Sequence, residues 1–140
     1  MAGARHFSEL VIWQLADELR RATFPLTERE AFHRDYKLRA HAEDSINSTC
    51  RNIAEGFGCE THREFARFLR IARRSLNELQ DAFQGALEKG YITPRDLDTP
   101  RRLLRRIFPA FGKFLAYLDR TPNQRNRPRR EPEPPGNPDT

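Results

Sequence analysis

The sequence predicts an all-α protein, an antiparallel up-down-up-down four-helix bundle. Three observations predict it. Apolar residues recur at helical spacing in four separate segments, capping residues and Gly or Pro stops bound those segments, and no stretch alternates with the period of a strand. The connections are short, so successive helices must turn back on one another. No internal repeat of solenoid length is present.

The first segment spans about Ser8 to Thr23. Phe7, Leu10, Val11, Gln14, Leu15 and Leu19 share one face, and Pro25 is expected to end the helix. Ile12 and Trp13 widen its apolar surface beyond a single stripe, which suits a helix touching more than one neighbour. The second segment starts near Thr27, whose spacing to Glu30 fits a capping box, and runs to about Glu55. Its inward stripe is Ala42, Ile46, Thr49, Cys50, Ile53 and Phe57, and Gly56 and Gly58 supply the backbone freedom that ends a helix.

Thr61 and Glu64 repeat the capping-box spacing at the head of the third segment. Its apolar period runs from Phe65 through Ala72, Leu76 and Phe83 to Leu87, with Gly90 as the stop after Lys89. The fourth segment starts between Thr93 and Arg101, where Thr93-Pro94 or Thr99-Pro100 offers a cap followed by a first-turn proline. Leu104, Ile107, Phe108, Phe111, Phe114, Leu115 and Leu118 face inward, and Pro109 predicts a kink. From Thr121 onward proline mixes with Arg, Glu and Asn, and no large apolar residue occurs. Residues 1–120 are therefore expected to form the bundle domain and 121–140 a disordered Pro/Arg-rich tail, dispensable for folding.

The chain of 140 residues is long enough for one core, with 37% hydrophobic and 32% charged residues. It has neither an apolar run of bilayer length nor a signal-like leader, so a cytoplasmic protein without membrane contact is expected. Cys50 and Cys59 are expected as free thiols. The formal net charge is +5, and only Lys37, Lys89 and Lys113 are lysines among 25 Lys plus Arg. Guanidinium forks suit phosphate, so the composition admits a nucleic-acid partner.

The cations are also patterned. Arg63, Arg67, Arg70 and Arg74 fall within roughly 60° of arc on the third helix, opposite the stripe centred on Ala72. Like charges one turn apart repel, and along the chain only Glu60, Glu64 and Glu78 stand close enough to offset them. Arg101, Arg102, Arg105 and Arg106 repeat the pattern opposite the apolar face of the fourth helix. Rows of forks on rigid helices can track a phosphate backbone, and Arg63, Arg67, Arg70, Arg74, Arg101 and Arg105 are the candidate contacts. The same rows also serve a solvated face that only keeps the bundle soluble. No base-reading motif accompanies them.

Signals for other chemistry are weak. Cys59 and His62 are three apart, but the matching second pair of a metal site is missing, so neither metal nor cofactor is expected. His6, His33 and His41 read as surface or boundary residues. Ser45, Ser48 and Ser75 lack a nucleophile elbow, and Gly56 and Gly58 lack the strand and lysine of a phosphate loop, so no catalytic residue is expected.

The run Asn52-Ile53-Ala54-Glu55-Gly56-Phe57-Gly58 resembles the "NIAEGFGR" motif of the four-helix-bundle proteins encoded in rRNA intervening sequences. Trp13-Gln14 with Ala16, Phe24-Pro25 with Glu30, Asp35-Tyr36 with Leu38-Arg39, and Gly90-Tyr91-Ile92 resemble further motifs of that family in the same order. Between them, Glu64-Phe65, Arg67-Phe68-Leu69, Ile71-Ala72, Ser75-Leu76 and Glu78-Leu79 resemble its "EF.RFL.IARGSL.EL". Arg74 stands where that motif has Gly, Cys59 where the first has Arg, and His41-Ala42-Glu43-Asp44 is acidic where members often carry basic residues. The resemblance implies a non-catalytic antiparallel bundle assembled into a ring, typically a homopentamer. Some relatives accompany reverse transcriptases of diversity-generating retroelements and bind nucleic acid and that enzyme. A ring that binds only protein partners is the alternative.

Overall fold

The computed structural model describes residues 4–126. Five α-helices make up the fold: α1 (Val11–Thr27), α2 (Glu30–Arg34), α3 (Tyr36–Phe57), α4 (His62–Glu88) and α5 (Asp98–Arg120). The four long helices form an antiparallel bundle in which α3 packs between α1 and α4, and α5 closes the square against α1 and α4. The pairing of α3 with α4 is the most extensive. Its register is marked by Gly56 beside Phe65, a 2.9 Å hydrogen bond between the Ser48 and Ser75 hydroxyls, and the Lys89 ammonium 2.8 Å from the Asp35 carboxylate.

Most of the inward stripes read from the sequence fill the core, but on α1 Val11 and Gln14 face outward and Ile12 and Ala16 take the buried positions. Leu19, Ile46, Ile53, Leu69, Leu76, Leu79, Ile107 and Phe111 are completely removed from solvent. Removal of apolar surface from water, worth about 25 cal/mol per Å², is the main force holding the helices together. The head of α4 follows the sequence closely, with the Thr61 hydroxyl accepting the Glu64 N–H at 3.3 Å. After Lys89, Gly90 adopts a positive φ of 75°, the left-handed turn that favours glycine.

Helix α1 ends later than expected and the second segment breaks in two. Pro25 lies inside the last turn of α1, with its ring exposed, and the helix continues to Thr27. A proline there removes one backbone bond without preventing the final turn. The Thr27 hydroxyl does not cap a following helix. It donates to the Phe24 carbonyl at 3.1 Å and to Glu43 of α3 at 2.9 Å. The cap of the long helix is Asp35, which accepts the Leu38 N–H at 3.2 Å and separates α3 from the short α2. Its carboxyl is held below the ordinary range by the Lys89 ammonium, the Tyr91 hydroxyl and that backbone N–H. Before α5, Thr93 and Asp96 form the reciprocal capping box, on the 3-10 turn Pro94–Leu97. Asp96 also takes a two-pronged bond from Arg29, at 2.5 and 2.8 Å.

The chain beyond α5 does not leave the bundle at Thr121. Residues 121–126, assigned to the tail by composition, fold back over the head of α4. The Gln124 carbonyl accepts the His62 N–H at 2.9 Å, and the Pro122 carbonyl accepts the Arg63 N–H at 3.0 Å. The Asn126 amide donates to the Gly56 and Cys59 carbonyls at 3.1 and 3.0 Å, and its backbone N–H donates to Glu60 at 2.9 Å. The first N–H groups of a helix have no partner within it, and this segment supplies partners. Hydrogen bonding rather than apolar burial holds it, which is why composition misplaced it. Residues 127–140, the rest of the expected tail, lie outside the described residues.

A chain ended at Arg120 is accordingly expected to lose roughly 1–3 kcal/mol of stability, because the net worth of the hydrogen bonds exceeds the ordering cost only modestly. A chain ended at Asn126 should melt with the full-length protein. Equal melting temperatures for all three chains would show that the segment adds nothing.

Candidate functional site

Arg63, Arg67, Arg70 and Arg74 are all exposed on the N-terminal half of α4, as the helical spacing requires. Arg67, Arg70, Arg73 and Arg74 line a shallow groove together with Ile71. Arg73 was outside the arc drawn from the sequence, yet it borders the same groove, and its adjacency to Arg74 was the available signal. Arg67 lies with its guanidinium carbon 5.4 Å from the centre of the Phe68 ring, over the half-buried aromatic.

The anion that offsets the row comes from another helix. Arg70 Nη2 lies 2.6 Å from the Asp119 carboxylate of α5. Among the described residues this is the only ion pair made by the four arginines. Among the described residues the rest of the row carries no such offset.

Arg101 and Arg105 are exposed on the N-terminal half of α5. Because α5 runs antiparallel to α4, they lie toward the opposite end of the bundle. Arg101 borders a groove with Gln80, Gln84 and Leu87 near the end of α4. At 1.5 Å rise per residue, Arg105 stands about 20 Å along α5 from Asp119, which marks the level of Arg70. The fold therefore gathers the α4 arginines and keeps the α5 pair apart from them. That spacing exceeds the screening length of about 8 Å in physiological salt, so the two groups act on separate stretches of any ligand.

The motif Asn52 to Gly56 is placed by packing. Ile53 is fully buried, and the Asn52 amide donates to the Ser48 carbonyl at 2.8 Å and hydroxyl at 3.1 Å. Ala54 is half-buried and Glu55 exposed. Gly56 lies so close to α4 that a Cβ would meet the Phe65 ring at 2.5 Å and the Phe68 Cβ at 3.0 Å.

His62 is 1% exposed, with Nδ1 2.8 Å from the Thr121 hydroxyl and its ring against Tyr117. Burial pushes its imidazole below the ordinary histidine range. Cys50 is pushed up to about 11 by burial, and burial raises Cys59 too, so neither thiol is a ready nucleophile at neutral pH. The Ser45 hydroxyl donates to the His41 carbonyl. A second surface feature lies at the first helix, whose apolar surface Ile12 and Trp13 widen. Leu10, Val11 and Ile12 at the start of α1 and Ala110, Phe114 and Tyr117 of α5 line an apolar groove, and Val11 is 61% exposed.

An all-α bundle with a cationic helix face defines the class of small helical-bundle proteins. No described helix is long and apolar enough to cross a membrane. The profile of the 23S rRNA-intervening sequence protein family matches residues 8–110, most of the chain, and the chain belongs to that family. Comparison with curated proteins finds no match. The family match stops before Asp119 and before the segment that caps α4.

Proposed function

We propose that this chain is a non-enzymatic accessory or scaffold protein that binds RNA or DNA through the arginine face of α4. The observation that carries the reading is the exposed groove of Arg67, Arg70, Arg73 and Arg74, continuous with Arg63 at the helix head. Forks at successive turns of a rigid helix match the repeated phosphates of a polymer better than a single small anion. Arg101 and Arg105 would engage the same strand farther along. Homo-oligomeric assembly, as a ring, is part of the proposal. It is supported by the apolar groove around Val11, since a surface of this kind is usually covered by a partner.

The test is a salt titration of binding to RNA and DNA oligonucleotides. The native protein is compared with a variant carrying Arg63→Glu, Arg67→Glu, Arg70→Glu and Arg74→Glu, its fold checked by circular dichroism. Native binding is expected to weaken steeply with salt, because each phosphate contact releases counterions, and the folded variant is expected to lose at least about a hundredfold in affinity. Binding indifferent to the reversal would remove α4 as the site. No binding at low salt would leave a ring that binds protein partners, with Val11 and its neighbours as the surface to examine.

A further inference from the structure

We infer that Asp119 is a built-in competitor for the α4 arginine face: its carboxylate holds Nη2 of the Arg70 fork, and a phosphate binding there must displace it. The inference rests on the nucleic-acid reading above and specifies what limits affinity at that site.

The geometry places the contact at the middle of the face. Arg70 is flanked by Arg67 one turn before and Arg74 one turn after, so an anion bridging those two passes Arg70. Arg70 and Asp119 meet at 2.6 Å, and their side chains remain 47% and 49% exposed. Both are thus accessible to solvent and to a ligand. The pair is strong enough in geometry to order the fork and weak enough in water to exchange, as exposed ion pairs are.

Nothing else in α5 accounts for a carboxylate at this position. Asp119 is the penultimate residue of α5, where the partial negative charge of the helix end disfavours an acid. It lies on the surface, so it fills no space in the core. The row-facing acids expected from the sequence, Glu60, Glu64 and Glu78, make no ion pair with these arginines among the described residues. Among the described residues Asp119 is therefore the acid that pairs directly with the row. Exchange of one carboxylate oxygen for one phosphate oxygen leaves the number of ion pairs at Arg70 unchanged, so native Arg70 adds little net affinity. With the carboxylate gone, the same phosphate contact is a net gain.

The experiment measures binding of a labelled single-stranded 20-nucleotide RNA, and of DNA single strands and duplexes of that sequence, by four proteins. These are the native chain, Asp119→Asn, Arg70→Gln and the double variant. Glu88→Gln, an acid at the far end of α4, controls for net charge. Asp119→Asn is expected to tighten binding by about three- to tenfold and to steepen the slope of log Kd against log salt by close to one contact. Glu88→Gln should change Kd less than twofold. In the Arg70→Gln background the Asp119→Asn gain should vanish.

Equal affinity of native and Asp119→Asn proteins would overturn the inference while leaving the nucleic-acid reading standing. A gain that persists in full without Arg70, or is matched by Glu88→Gln, would also overturn it, since net charge would then explain the effect. Absence of binding by all of the proteins, Asp119→Asn included, would overturn the nucleic-acid reading and the inference with it.

Discussion

Leu76→Asp is expected to abolish the native fold. Leu76 lies at the middle of α4, the helix that takes part in the most extensive pairing, with no solvent exposure. The change forfeits about 1.5–3 kcal/mol of side-chain burial and adds several kcal/mol for a carboxylate with no partner. That sum approaches the entire stability of a domain of this size, about 5–15 kcal/mol. The opposite layer offers no relief. Ile53→Asp, at an equally buried position on α3, should have the same consequence. Far-UV circular dichroism with a thermal melt checks both. Native helicity and an unchanged melting temperature in either variant would contradict the assignment of the core.

Gly56→Ala is the second large effect, and its sign runs against the ordinary behaviour of helices. In an exposed helix interior Ala exceeds Gly in stability by about 0.5–1 kcal/mol. Gly112 of α5 meets that condition, since nothing lies within 4 Å of the position a Cβ would take. Gly112→Ala should therefore stabilise the protein by about that amount. At Gly56 the new methyl would lie 2.5 Å from the Phe65 ring, which is fully buried and stacked edge-on against Phe57 and Phe114. The ring cannot retreat without disturbing both neighbours, so an overpacking cost of roughly 1–3 kcal/mol or more should exceed the gain in propensity. Chemical denaturation of the two variants beside the native protein measures the contrast. Stabilisation by Gly56→Ala would show that α3 and α4 can separate freely at that end. The close approach also gives the glycine of the Asn52 to Gly56 motif a physical reason: it lets two helices nearly touch.

Much of the bundle was legible because helical periodicity is a local property. Phe65, Leu69, Ala72, Leu76, Leu79 and Phe83 must share a face once the chain is helical, and all are buried. Thr61 caps α4 and Gly90 follows its end for reasons contained within a few residues. The exposure of Arg63, Arg67, Arg70 and Arg74 follows from the same geometry.

The Thr27 and Glu30 spacing placed the start of the second long helix too early, and Asp35 caps it instead. The Thr27 hydroxyl was drawn to Phe24 and Glu43, while Asp35 gained Lys89 and Tyr91. The partners that settled this come from residues far away in sequence.

By itself, then, the sequence determined the four helical segments, most of their buried faces and the arginine row, because each follows from spacing along one element. Tertiary structure alone decided which ends of the helices meet. It set Asp119 against Arg70, carried Arg101 and Arg105 toward the far end of the bundle, and laid residues 121–126 over the open N–H groups of α4. Charge partners and capping partners on different helices are fixed by the register of packing, and no periodicity within a single helix encodes it.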